Sequence, residues 1–339
     1  MDLRELASLP GVSGHEGKVR ETLISWLREM GYEPRTDVLG NVIVRTGGRG
    51  PKVMVDAHMD EVGLVVTAIE KNGFVRFQKV GGIDDRVLLS KRVFIGEERV
   101  PGVIGVKAIH MQEPKEWEQV IPWHTLTIDI GAKSKEEAEK KVKVGDYIVF
   151  DTEYEEIGDD LVKSKALDDR VGCAVLLELL KEKWEKLELY CVFAVQEEVG
   201  TRGARVAAYE IAPDIGIAVE GTICSDLPGC EEHQWVTKLG GGAALSVMDR
   251  GSIPSRRMLE EFLRLARENG IPVQFRESGA GGNDAAAIQL ARSGCPVASV
   301  SVPCRYIHSP VSLASKKDFQ SVVKLLILFL KSVEGGFRP

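Results

Sequence analysis

Four apolar, β-branched runs, at residues 51–57, 187–195, 215–219 and 297–302, constrain this chain more than any other feature of its sequence. Near-continuous runs of Val, Ile, Leu and Ala are buried on both faces, the pattern of parallel strands inside an α/β sheet. Helix-period segments intervene at 168–183, 202–209, 254–269, 285–292 and 316–332. Residues 17–30 form an amphipathic helix with Val19, Leu23, Trp26 and Leu27 on one face, and a further strand is expected at 38–44. From about 62 to 160 the alternation stops. Short β-rich pieces follow at 74–80, 91–95, 100–106, 126–130 and 146–150, punctuated by Gly and Pro, and Tyr147-Ile148-Val149-Phe150 has the make-up of a barrel strand. The expected architecture is α/β: a mixed sheet flanked by helices, with an inserted β-barrel-like domain. Residues 1–61 and 161–339 then form one discontinuous domain and 62–160 the insert.

In open α/β sheets the ligand crevice lies beyond the carboxyl ends of the strands. His58, Glu197, Glu198, Glu220 and His308 fall just after such runs, and Asp168 starts a helix, where an acidic residue also suits the N-terminus. Imidazole and carboxylate are what borderline cations such as zinc and cobalt choose, and two of them about 3.5–4 Å apart need a shared carboxylate. His58 and Asp60 are two apart and face the same side if extended, so Asp60 fixes the ring while His58 holds a cation. Glu197 and Glu198 are adjacent and point to opposite sides. One binds a cation and the other serves as general base, in an order the chemistry leaves open. Each residue also has an ordinary reading, as a satisfied polar group, a solvated loop or a helix cap. Their joint placement points instead to a two-metal hydrolase.

The motifs Leu6-Ala-Ser-Leu-Pro-Gly-Val-Ser-Gly14, Ala57-His-Met-Asp-Glu61, Lys165-Ala-Leu-Asp-Asp-Arg170, Gln196-Glu-Glu-Val-Gly200, Gly279-Ala-Gly-Gly-Asn-Asp284 and Tyr306-Ile-His-Ser309 span nearly the whole chain. In order and spacing this resembles the TET-type (tetrahedral) co-catalytic metallo-aminopeptidases, which include glutamyl and deblocking aminopeptidases. The resemblance implies a zinc-exopeptidase-like sheet and two divalent ions per subunit, Zn2+ or Co2+. His58 and Glu220 would hold one ion, Glu198 and His308 the other, and Asp168 would bridge them. Glu197 would be the general base and Asp60 the partner of His58. The position of Glu220 is Asp in some members. The resemblance further implies peptide substrates read at their free N-terminal amine, and a hollow dodecamer in which the insert builds contacts between subunits.

A net charge of −7 argues against nucleic acid as the main partner. No window approaches the roughly eighteen uninterrupted apolar residues of a membrane span, and Met1-Asp-Leu-Arg-Glu5 does not open as a signal peptide does, so a cytoplasmic location is expected. Six scattered cysteines lack zinc-ribbon or redox spacing; Cys224 and Cys230 are close enough to invite a disulfide. Four Asn in the chain, with 28% charged residues, lean toward a thermophilic source. The glycine stretches at 240–242 and 279–282 lack the frame of a phosphate loop and suit close backbone approach instead. Residues 135–143 read as a solvated helix face. Two other activities fit the parts: an N-acyl amino-acid deacylase on the same metal pair, and an endoglucanase-type glycosidase using paired carboxylates without metal. The preferred N-terminal residue is not fixed by any single side chain of the sequence.

Overall fold

A computed structural model describes residues 3–277 and 281–339. Its centre is four parallel strands. Glu188–Ala194 pairs with Lys52–His58, which pairs with Ile215–Cys224, which pairs with Val297–Arg305. Along each, alternate side chains enter different cores. Val53, Val55 and Ala57 pack with Leu189, Cys191 and Phe193 on one face, whereas Met54, Val192 and Ala218 pack on the other. The first face is covered by Gly17–Glu29, Leu167–Leu179, Arg256–Asn269 and Lys316–Glu334, with Phe262 and Phe329 stacked at 4.1 Å. The second is covered by Arg202–Ile211 and Ala285–Gln289, whose alanines let helix and sheet approach closely.

The sheet is mixed because antiparallel strands flank this centre: Val42–Arg45 beside Glu188–Ala194, and Ser312–Ser315 and Leu161–Ser164 beyond Val297–Arg305. The stretch expected as a strand from 38 begins only at Val42. Asp37 Oδ1 instead accepts the N–H groups of Leu39, Gly40 and Asn41 at 2.9–3.0 Å, which folds that segment into a turn.

Gly63–Ile69, Val75–Val80, Arg92–Ile95, Val100–Gly105, Thr127–Asp129 and Tyr147–Phe150 close into an antiparallel barrel. Closure removes the unpaired edges that such short strands would otherwise present. Leu64, Val66, Phe77, Ile95, Ile104 and Ile128 fill its interior. The barrel touches the main body where Val12 packs on Tyr147 and Val149. All six cysteines are free; Cys224 is buried and Cys230 exposed. Of the second glycine stretch, Gly279 and Ala280 lie outside the described residues.

Candidate metal centre

The strand Lys52–His58 ends on a buried imidazole. His58 Nδ1 lies 3.1 Å from the carbonyl oxygen of Asp60 and 3.4 Å from Asp60 Oδ1. Both neighbours only accept, so Nδ1 carries the proton and Nε2 keeps its lone pair. The same logic fixes the second imidazole. His308 Nδ1 donates to Gly82 O at 2.9 Å, from the loop after the barrel strand Val75–Val80.

The two Nε2 atoms address opposite oxygens of one carboxylate. His58 Nε2 is 3.4 Å from Asp168 Oδ1 and 3.6 Å from Glu220 Oε2; His308 Nε2 is 3.5 Å from Asp168 Oδ2 and 3.3 Å from Glu198 Oε2. Each imidazole thus shares Asp168 and has a glutamate of its own. Asp168 Oδ1 is buried without a hydrogen-bond partner, which leaves its lone pairs available to a cation. Nitrogen and oxygen donors in this arrangement fit borderline divalent cations.

Local backbone explains the placement. Asp168 and Asp169, at φ/ψ of −83/103 and −127/42, are not helical, so Asp168 is not the helix cap that its position suggested. Asp169 serves the helix instead, accepting Gly172 N–H at 3.0 Å with one oxygen and His58 N–H at 3.2 Å with the other. It also lies within coordinating range of His58 and Glu220, but with both oxygens so engaged it is a poorer donor than Asp168. A Cβ on Gly221 would meet Asp168 Cα at 2.9 Å, so that glycine makes room for the aspartate beside the strand. Gln196, Tyr306 and His308, at φ of 56, 62 and 56, hold left-handed conformations in the loops that present the site.

Asp60 does more than face an imidazole. Oδ1 accepts Glu197 N–H at 3.0 Å, while Oδ2 accepts Glu198 N–H at 3.2 Å and the Ser13 hydroxyl at 2.6 Å. One buried carboxylate thereby sets the backbone of both glutamates. Glu198 turns toward His308, and Glu197 lines a cavity of about 450 Å³ together with His58, Asp168, Glu220 and His308. All seven site residues expected from the sequence therefore converge. Glu220 reaches the site from within the strand Ile215–Cys224 rather than from beyond its end.

Crowded carboxylates shift one another. Burial, aided by Asp284, Asp168 and Asp60 and opposed by His58, pushes Glu197 up to about 8. Burial also pushes Glu198 up to about 8, against the pull of His308. Burial alone would lower His308, but Asp168 and Glu198 outweigh it and raise the ring to about 9. His58 is likewise held well above its usual value by Asp168 and Asp60 against burial. Protons and divalent cations compete for such atoms, so this concentration of negative charge also attracts metal.

Sequence reasoning gave no role to Glu61, Lys165 and Arg170, which form a buried ion cluster beneath the site. Lys165 Nζ lies 2.8 and 2.9 Å from the two Glu61 oxygens, and Arg170 Nη2 3.6 Å from one of them. Lys165 and Arg170 also bond the carbonyls of Leu9 and Leu6, tying the N-terminal segment to the centre. Another cavity, about 470 Å³ on the barrel, has Lys107 and Glu116 in its lining, paired with each other at 2.9 Å, and none of the site residues.

A mixed α/β sheet with paired imidazoles and a shared aspartate at its carboxyl end defines a metal-dependent hydrolase. The chain belongs to the M42 glutamyl aminopeptidase family, whose model matches residues 40–325. It is 43% identical over 334 residues to a putative aminopeptidase of Acetivibrio thermocellus, with 96% of each chain covered. Lysyl aminopeptidase of Pyrococcus furiosus is 34% identical over 345 residues, covering 99% of this chain and 98% of its own. The TET1 peptidase of Pyrococcus horikoshii, which assembles into a tetrahedron or a large octahedral shell, superposes with a TM-score of 0.86 at 35% identity, covering 96% of this chain and 97% of its own. The fold and family make this chain an aminopeptidase, an exopeptidase of a metal-dependent family.

Proposed function

We propose that His58 and Glu220 hold one divalent cation and Glu198 and His308 a second, with Asp168 between them and zinc or cobalt as the metal. The observation that carries this is the pair of contacts from the two Asp168 oxygens to two imidazoles, each of which also has its own glutamate. Cations bound there supply Lewis acidity toward the scissile carbonyl and toward water. Glu197, on the cavity side, takes the proton of the attacking water on a carboxylate oxygen and returns it to the leaving amine. Asp60 keeps Glu197 and Glu198 in place through their peptide N–H groups.

The substrates are peptides with a free N-terminus. A deacylase on the same site would act on blocked termini, and a two-carboxylate glycosidase would leave both imidazoles without a task. Further, we place the catalytic domain at 1–61 and 161–339 and the inserted domain at 62–160, with the insert building a homo-oligomer, most simply the tetrahedral dodecamer. No helix among the described residues is long and apolar enough to cross a membrane, which is compatible with a cytoplasmic location.

The test is a panel of aminoacyl anilides and peptides, free and N-acetylated, with metal-stripped and reconstituted protein. Release from free termini only, lost on stripping and restored by Zn2+ or Co2+ at two ions per chain, is expected. Cleavage of acetylated peptides alone, or activity without metal, would contradict the reading.

A further inference from the structure

The N-terminal motif at residues 6–14 takes no part in the chemistry above, yet its end lies against Asp60. Val12 forms a parallel bridge with Glu61, while Gly11 O accepts Glu61 N–H at 2.9 Å and Glu61 O accepts Ser13 N–H at 3.3 Å. The segment is wedged tightly. A Cβ on Gly11 would meet Val19 Cγ2 at 2.8 Å, and a Cβ on Gly63, which opens the first barrel strand, would meet Val12 Cγ2 at 2.4 Å. Gly14 then turns the chain at φ of 87, with its N–H held by Glu16 Oε1 at 2.7 Å.

Ser13 carries this fixed backbone to the site. Its hydroxyl donates to Asp60 Oδ2 at 2.6 Å, the shortest of four contacts on that carboxylate; Glu197 N–H, Glu198 N–H and His58 Nδ1 lie at 3.0, 3.2 and 3.4 Å. The other three partners belong to the segments that Asp60 itself holds, and they can shift with it. Ser13 cannot. The last torsion of an aspartate is broad and roughly two-fold, so a carboxylate without this anchor can turn about its Cβ–Cγ bond. Both glutamate N–H groups would then lose an acceptor in a set place.

We propose that Ser13 is a positioning residue: its hydroxyl sets the rotation of the Asp60 carboxylate, and through Asp60 it places Glu197 for proton transfer. The inference rests on the reading of Glu197 as the general base. Among the described residues, Ser13 is not in the lining of the cavity, so its loss should act on kcat and spare KM. A serine that merely fastened the N-terminal segment would affect stability instead.

The experiment measures kcat and KM on a free aminoacyl anilide, bound metal, and the midpoint of denaturant unfolding for metal-loaded wild type, Ser13→Ala and Ser13→Thr. Ser8→Ala serves as control, because it removes a hydroxyl from the same segment that bonds only Arg4 O. Ser13→Ala is expected to lose kcat about 10- to 100-fold, the cost of a small misplacement, with KM and metal content close to wild type. Ser13→Thr should recover most of that loss by restoring the donor, and Ser8→Ala should match wild type. In a Glu197→Gln background, Ser13→Ala should cost about twofold at most, since the base it places is already gone.

A Ser13→Ala enzyme with wild-type kcat and a lower midpoint overturns the inference in favour of the fastening role. A loss of kcat matched by a loss of metal also overturns it, as does an undiminished further loss in the Glu197→Gln background. If Ser13→Ala does not fold, Ser13→Cys, which keeps the volume with a weak donor, decides: an intermediate kcat supports the proposal and a wild-type kcat sinks it. Wild-type turnover by Glu197→Gln alone would instead remove the reading on which the proposal rests.

Discussion

At the scale of single residues, the site depends on which lone pairs are left over. Gly82 O and Asp60 O take the Nδ1 protons, so His308 and His58 offer Nε2 to the centre, and both oxygens of Asp168 lie between them. Glu197 is not needed for that cluster. Glu197→Gln should therefore keep the metal content of the wild type and lose kcat by about 10²–10⁴-fold, the usual weight of a general base; metal analysis beside steady-state kinetics checks it, and wild-type turnover would remove Glu197 from the proposed role. On the proposed pairing, His308→Ala should lose one metal in preference to the other, because Asp168 and Glu220 still face His58; a metal content equal to wild type would refute the pairing. These side chains were legible because strand ends and short motifs mark them. Asp169 and Gly221 were not. Their importance lies in contacts with His58, 111 residues away, and with the backbone of Asp168, and no local pattern encodes such contacts.

At the scale of elements, the four central strands were readable because burial on both faces makes them continuously apolar, and the helices because their period is distinct. The strands Leu161–Ser164 and Ser312–Ser315 were not anticipated. Each is four residues long and includes polar groups, too little for a period of two to show. Gly63–Ile69 was hidden by its position, directly after the His58 motif and opening on a glycine. What fastens the elements together was also invisible. Glu61 lies 104 residues from Lys165 in sequence, yet the two form a buried pair joined by Arg170. Glu61 accepts Gly11 N–H as well, so it links the N-terminal segment, the end of the first central strand and the approach to Asp168. Burial pushes Lys165 down to about 8, a measure of how far this ammonium depends on its counter-ion. Glu61→Gln would leave two buried cations without an anion. A loss of about 3–5 kcal/mol is expected, seen as a lower midpoint of denaturant unfolding. A midpoint within experimental error of wild type would show that the cluster contributes little to stability.

At the scale of the whole molecule, the barrel serves two purposes that must be separated experimentally. It completes the site in its own chain, since Gly82 O holds His308, and it presents apolar surface outward. Ile109 and Met111 are 69% and 64% exposed, Trp117 60% and Val120 54%, all within one stretch of the insert. Four large apolar side chains exposed in so short a stretch are what contact with another molecule would cover. In the proposed shell these residues lie against a second copy. Cutting out 62–160 should yield smaller species with altered peptide-length selectivity, but it would also strip Gly82 from His308 and so confound assembly with chemistry. Trp117→Asp is the cleaner variant, because it puts a charge into the proposed contact and leaves the loop at Gly82 untouched. Light scattering should find wild type as a large homo-oligomer near the mass of a dodecamer and Trp117→Asp as smaller species that still hydrolyse short anilides. A wild type that is monomeric at micromolar concentration would refute the shell even with the two-metal chemistry intact. A variant that assembles fully would move the contact away from this stretch.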